Sequence, residues 1–244
     1  MFVRFLSELE RRSTDEAHRF QEMIFLSLIY EHQEDRLFRA VRDLDLDREQ
    51  KALIEIFKTF NVPEDNFLAP TRAHFRRLAD AIEKLNSQRG IDVQSIFLVM
   101  NSWRIHAVIQ EWNKLISKQR SIFKPRDTFL GILNKMLQRK TLKINEKNEL
   151  YAESQSGKIL TPLELSSGEK QLLIILGEAL LQRDAPWIYI ADEPELSLHV
   201  DWQVDLVDNV RQMNPASQVI VATHSPDIVS HYGTRVHDME HILS

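Results

Sequence analysis

Residues 165 to 199, LSSGEKQLLIILGEALLQRDAPWIYIADEPELSLH, decide the fold. Ser166 followed three residues later by Glu169 is a capping box in front of an apolar helix, predicted from about Gly168 to Arg183. The same helix start carries a small hydroxyl, a glycine, orphan backbone N–H groups and the positive end of the helix dipole, which is the makeup of an anion site. Both readings stay open on this stretch alone. WIYIADEPE, from Trp187, is an apolar run that ends in acids; a helical VDWQVDLVDNVRQM follows, and then a second apolar run, QVIVATHSPD, from Gln218. Strand, helix and strand, with both strands apolar throughout, predict a parallel sheet buried on both faces. Binding sites in such sheets lie at the carboxyl ends of strands. Here those ends carry Asp192 and Glu193 on one strand and Thr223 and His224 on the other.

These residues form a chemical set. A carboxylate such as Asp192 can hold Mg²⁺, which keeps part of its water shell. Glu193 can polarise an attacking water, and His224 can position that water or bond a γ-phosphate. Ser166 and the amides around Gly168 supply an anion site. Together they suit phosphoryl transfer.

Outward from this core, residues 1 to about 138 read as helical. STDEAHRFQEMIFLSLIYEHQEDRLFRAV opens with a capping box from Ser13 to Glu16, and DREQKALIEIFKTF takes Asp47 as its N-cap. NVPEDN and LAP break the run, a helix from Thr71 closes at Gly90, and the longest helix runs up to Pro125 before a short RDTFLGILNKML. At Lys140 the period changes to two, with turns at Glu146 to Asn148 and at Ser156-Gly157, predicting short antiparallel strands.

The order LSSGEK, IYIADEPE, SLH, VATHSPD resembles the C-terminal half of ABC-type ATPase domains. The resemblance assigns Ser166, Ser167, Gly168 and Glu169 to the signature loop. It assigns Asp192 and Glu193 to the end of the Walker B strand, with Glu193 as catalytic glutamate and Asp192 as the magnesium carboxylate. Glu195, Ser197 and His199 fall in the D-loop, and His224 is the switch histidine. The implied fold is α/β: the signature and Walker B half of a P-loop ABC-type ATPase sheet in 139–244, preceded by a large all-helical insertion in 1–138. ATP and Mg²⁺ would lie between two such domains arranged head to tail, the signature loop of one touching the γ-phosphate held by the other, which implies a homo-oligomer.

LSSGEKQLLIIL and ADEPELSLHVDWQ are most similar to the ATPases of bacterial anti-phage systems, above all the Septu-type subunit that pairs with an HNH nuclease, retron-associated versions included. They also resemble overcoming-lysogenization-defect ATPases, which continue into a TOPRIM nuclease domain. The sequence ends at Ser244, just past the switch histidine region, so a nuclease is expected on a separate chain. RecF- and SMC-like DNA-repair ATPases share the same motifs. The alternatives to a defence ATPase are therefore a DNA-repair ATPase and a non-hydrolysing interaction scaffold.

One motif of the family has no counterpart here. A P-loop, G-x-x-x-x-G-K-[ST], cradles phosphates with its amides and lysine. The Gly157-Lys158 pair has Ala152 where the first glycine belongs and Ile159 where Ser or Thr belongs, in a hairpin context. The chain thus reads as an ABC ATPase without its N-terminal lobe, truncated or split, with little or no activity alone. Its parallel strands would expose edges and apolar faces unless another element covers them.

Composition narrows the setting. With 43% hydrophobic residues the 244-residue chain can build a core, and the absence of cysteine excludes a disulfide framework and Cys-based zinc. MFVRFLSELERR is too soon charged for a signal peptide, and no apolar run reaches the roughly 18 residues of a membrane span, so a cytoplasmic protein is expected. A net charge of −5 argues against wholesale nucleic-acid coating. Arg72, Arg76 and Arg77, then Lys114, Lys118, Arg120, Lys124 and Arg126, form either a solvated face or a docking face for DNA, RNA or a nuclease. Trp103 and Trp112 read as packing residues, and HDMEH at His237 to His241 matches an inverted zinc-protease pattern without a third ligand downstream.

Overall fold

The computed structural model describes residues 1–29, 45–87, 90, 92–183 and 185–239. Among the described residues the chain is mostly helical, with two small sheets, and it divides into two compact units: Met1–Arg12 with Ser121–Ser244, and Ser13–Arg120. Strands begin at Lys140, yet the division falls at Arg12 and Ser121, within two long helices. The reason is burial: Phe5, Leu6, Leu9, Phe129 and Leu133 share one apolar cluster with the strands. No described helix is long and apolar enough to cross a membrane.

Unit Ser13–Arg120 is helical. It holds the later part of α1 (Phe2–Ile29), then α2 (Leu46–Thr59), α3 (Glu64–Ser87) and the earlier part of α4 (Val93–Met136). Phe20, Ile56, Ile109, Trp112 and Leu115 form one core, and Phe75, Leu78, Ala81 and Val99 another. Trp112 lies between Phe20 and Phe60, with ring centroids at 5.4 and 5.7 Å, so it packs as its sequence context suggests.

Several sequence boundaries shift. Ser13 caps nothing, because the residues ahead of it are already helical; its hydroxyl accepts from the Gln119 side chain at 3.1 Å. Asp45, not Asp47, caps α2 by accepting from the Arg48 N–H at 3.1 Å. Pro70 and Pro125 lie inside α3 and α4 and end neither. An interior proline costs about 3 kcal/mol. Beyond Pro125 the helix buries Phe129 and Leu133 completely, each worth roughly 1.5–3 kcal/mol, which outweighs that loss. The sequence-predicted continuation of α1 into residues 30–41 lies outside the described residues.

In the other unit, β1 (Lys140–Ile144), β2 (Leu150–Ser154) and β3 (Ile159–Leu160) form an antiparallel meander. Its register places Leu142, Ala152 and Leu160 in one buried row. The turns fall where the sequence puts them, with Asn148 at φ 62° and Gly157 at φ 79°. Then come α5 (Ser167–Leu181), β4 (Ile188–Asp192), α6 (Val200–Val204), α7 (Leu206–Met213), β5 (Gln218–Ala222) and α8 (Pro226–Val229). The single helix predicted from Val200 to Met213 is two, parted at Asp205. Asn214, fully buried, ties the end of α5 to the chain ahead of β4: its amide donates to Gln182 Oε1 at 2.9 Å and to the Ala185 carbonyl at 3.0 Å.

β4 and β5 pair in parallel, Asp192 opposite Ala222. Tyr189, Val219 and Val221 pack against the main core. Ile188, Ile190 and Ile220 alternate with them and are 61%, 73% and 46% exposed. Among the described residues one face is covered and the other is open, which corrects the expectation of burial on both faces and agrees with that of apolar faces left uncovered without a P-loop lobe.

Candidate functional site

At the carboxyl end of β4 the chain turns sharply. The Glu193 N–H donates to the Ala222 carbonyl at 2.8 Å, carrying the β4–β5 pairing one residue further, and Glu193 itself sits at φ 44°. This left-handed turn brings Glu193 Oε1 within 3.7 Å of His224 Nε2. Both side chains reach solvent, the imidazole 93% exposed. A carboxylate and an imidazole so placed can take and return the proton of a water between strand ends.

Asp192, the last residue of β4, is also exposed. No group of three or more His, Asp or Glu side chains that could hold a metal exists among the described residues. One hard carboxylate open to solvent fits magnesium carried in with phosphate and water ligands, and does not fit an all-protein cage.

The turn after β4 is clamped from two sides. On one side, Glu195 Oε1 accepts from the Thr223 hydroxyl and from the backbone N–H groups of His224 and Ser225, at 3.1 and 3.2 Å. Burial pushes the Glu195 carboxyl up, but these donors outweigh it and hold it below the usual range. On the other side, Gly168 at the start of α5 lies so near Ser197 that an added Cβ would stand 2.3 Å from the Ser197 carbonyl oxygen. Ser197 is itself left-handed, at φ 71°. His199 caps α6, its Nδ1 accepting from the Asp201 N–H at 3.3 Å.

The capping box at α5 is present. The Ser166 N–H donates to Glu169 Oε2 at 2.8 Å, and the Glu169 N–H to Ser166 Oγ at 3.4 Å. Both Glu169 oxygens also accept from Lys140 Nζ, at 2.8 and 2.6 Å. Burial raises the Glu169 carboxyl and the Lys140 and Ser166 bonds overcome that rise, so its pKa falls below the ordinary value. Ser166 and Ser167 are exposed, while Gly168 is buried.

Sequence reading did not find the partners Lys140, Ser225 and Gln203, and it placed Thr223 at a strand end without its bond to Glu195. Ser225 caps α8 and donates to Gln203 Oε1 at 2.6 Å. Only the Ser225-Pro226 step, a cap followed by proline at the first helical position, was a signal available for it. Of the basic residues, Lys118 pairs with Glu16, Lys114 with Glu111 and Arg126 with Asp127. Arg72 and Arg76 line a cavity of about 310 Å³ with Asp47 and Gln50. In the HDMEH segment, Glu240 and His241 lie outside the described residues.

The sequence profile of the family described as "AAA domain, putative AbiEii toxin, Type IV TA system" matches residues 7–230. Among curated proteins, the Septu protein PtuA of Bacillus thuringiensis is 25% identical over 159 residues, covering 59% of this chain and 39% of PtuA. The chain thus spans less than half the length of that relative. Among solved structures, the Smc head domain with an extended coiled coil bound to the C-terminal domain of ScpA, from Pyrococcus furiosus, is 16% identical, covers 86% of this chain and 55% of its own, and superposes with a TM-score of 0.37. The Smc head domain with a coiled coil and joint from Pyrococcus yayanosii is 17% identical, with coverage of 93% and 59% and a TM-score of 0.37. Scores this low carry no fold assignment.

Proposed function

The chain belongs to this AAA-domain family, and from that premise we propose that it is the signature and Walker B half of an ABC-type ATPase acting in an anti-phage defence complex. The observation that carries the reading is the pair formed by Glu193 and His224 at adjacent carboxyl ends of two parallel strands. Glu193 takes the proton of the attacking water, and His224 positions it. Asp192 is the residue to hold magnesium, whose charge would offset that of the phosphates. Ser166, with the amides of Ser167 and Gly168, meets the nucleotide of a second copy, while Glu169 keeps this helix start in shape through its bonds to Ser166 and Lys140. Glu195, Ser197 and His199 form the D-loop between the two halves. Residues 1–138 are the helical insertion and 139–244 the ATPase half.

The open face of Ile188, Ile190 and Ile220 supports the split arrangement, because parallel sheets are ordinarily covered on both sides. A phosphate-binding lobe, in the same protein or a partner, fits there. The nucleotide-driven dimer would govern a separate HNH-type nuclease, and the likeness to PtuA supports the defence role.

The test is made on the complete assembly, P-loop lobe included. Glu193→Gln is expected to slow ATP hydrolysis by about 10²- to 10⁴-fold while ATP binding survives. Ser166→Arg is expected to abolish ATP-dependent dimerisation. Wild-type turnover in the Gln variant refutes the base assignment. An assembly that binds no nucleotide leaves the scaffold reading in its place.

A further inference from the structure

Glu195 falls by resemblance in the D-loop that follows β4, but its side chain reaches the other strand end. Three consecutive residues, Thr223, His224 and Ser225, each donate to one oxygen, Oε1. Its second oxygen, Oε2, is buried without a hydrogen-bond partner among the described residues. A buried carboxylate oxygen left unmet is costly, and charge-assisted bonds of the kind gathered on Oε1 offset that cost.

We propose that Glu195 is a positioning residue, which folds the loop Thr223–Ser225 around its carboxylate and so sets the His224 ring opposite Glu193. The ring cannot be held by packing, since 93% of the side chain is exposed. What the structure holds is the backbone from which the ring departs, whose N–H is bound to Glu195. Glu193 is fixed independently, by its left-handed turn and its N–H bond to Ala222. The carboxylate two residues beyond Glu193 thus joins the two strand ends and keeps base and imidazole at one spacing. Thr223 links the set further, because its hydroxyl also accepts from the Ser225 N–H at 2.9 Å.

The inference rests on the roles proposed for Glu193 and His224, and its test separates the two. Amide hydrogen exchange is followed in the complete protein for wild type, Glu195→Ala, Glu195→Asp and Glu195→Gln. Loss of one such bond is worth about tenfold in protection. Ala, and Asp with its shorter reach, are expected to lose about that factor at His224, with α5 unchanged; Ser225, whose N–H keeps its bond to Thr223, is expected to lose less, and Gln, which keeps the acceptor oxygen without its charge, is expected to fall between wild type and Ala. If Ala unfolds, the contrast of Asp with Gln decides alone. In single-turnover hydrolysis, Glu195→Ala is expected to match His224→Ala, to keep the affinity for ATP, and to add nothing in the double variant. Unchanged protection at His224, or fully additive losses, overturns the proposal. An assembly whose wild type does not hydrolyse ATP refutes the ATPase reading, and the exchange result then still judges Glu195.

Discussion

Gly168→Ala tests the tightest approach in the site. The new Cβ would lie 2.3 Å from the Ser197 carbonyl oxygen, where real Cβ atoms keep at least 3.0 Å, so one backbone has to move. Overpacking of this kind costs about 1–3 kcal/mol. Alanine recovers at most about 1 kcal/mol of helix propensity, and less in the first turn, where Gly168 stands. The net expectation is a loss of about 1–2 kcal/mol. Gly177, in the same helix, has nothing within 4 Å of an added Cβ. There the same substitution is expected to stabilise by roughly 0.5–1 kcal/mol. Urea unfolding followed by helical circular dichroism, with equal m-values, measures both variants against wild type. Opposite signs within one helix are the expected outcome; equal stabilities for the two variants would refute the claim that Gly168 is glycine because Ser197 leaves no room.

Lys140→Met deprives Glu169 of its ammonium partner in a half-buried setting and is expected to cost about 1–3 kcal/mol. Because the folded Glu169 pKa lies below its ordinary 4.5, the carboxylate stabilises the fold above that value and loses its contribution as pH falls through the lower folded pKa. The acid transition of the Met variant, read by circular dichroism, should therefore begin at higher pH than that of wild type. Asn214→Ala strips the amide from a fully buried site and leaves the Gln182 side chain and the Ala185 carbonyl without their donor, an expected loss of about 2–4 kcal/mol in urea unfolding. Trp202→Phe removes the indole N–H that donates to the Met136 carbonyl at 3.0 Å, at the last residue of α4, for about 1 kcal/mol.

Local signals in the sequence were legible where a short-range rule governs. The box at Ser166 and Glu169, the turns at Asn148 and Gly157, and the apolar strands before Asp192 and Thr223 all stand where spacing and composition put them. Rules about breakers failed where burial was stronger: Pro125 sits in a helix held on its far side by Phe129 and Leu133. Apolar runs alone did not say which side of β4 and β5 stays open, because hydrophobicity states what wants cover and not what supplies it; the missing P-loop raised the expectation of an uncovered face, and Ile188, Ile190 and Ile220 form it. The candidate site was half legible. Glu193 and His224 come together from strand ends that a parallel pairing makes neighbours. The grip of Glu195 on residues 28 to 30 positions further along, and that of Lys140 on Glu169, are long-range side-chain contacts with no local pattern.

The left-handed backbone at Glu193 has a consequence for selection. A non-glycine residue at φ 44° gives up about 1–2 kcal/mol that glycine would not. After glycine's own entropy cost, Glu193→Gly is expected to leave the protein as stable as wild type or more so by up to about 1 kcal/mol, while removing the carboxylate. A library sorted for thermal survival alone would then enrich this change, and one sorted for turnover would purge it. With the role proposed for Glu193 as base, durability and chemistry pull in opposite directions at this residue, and glutamate is expected to persist only where the reaction is selected for.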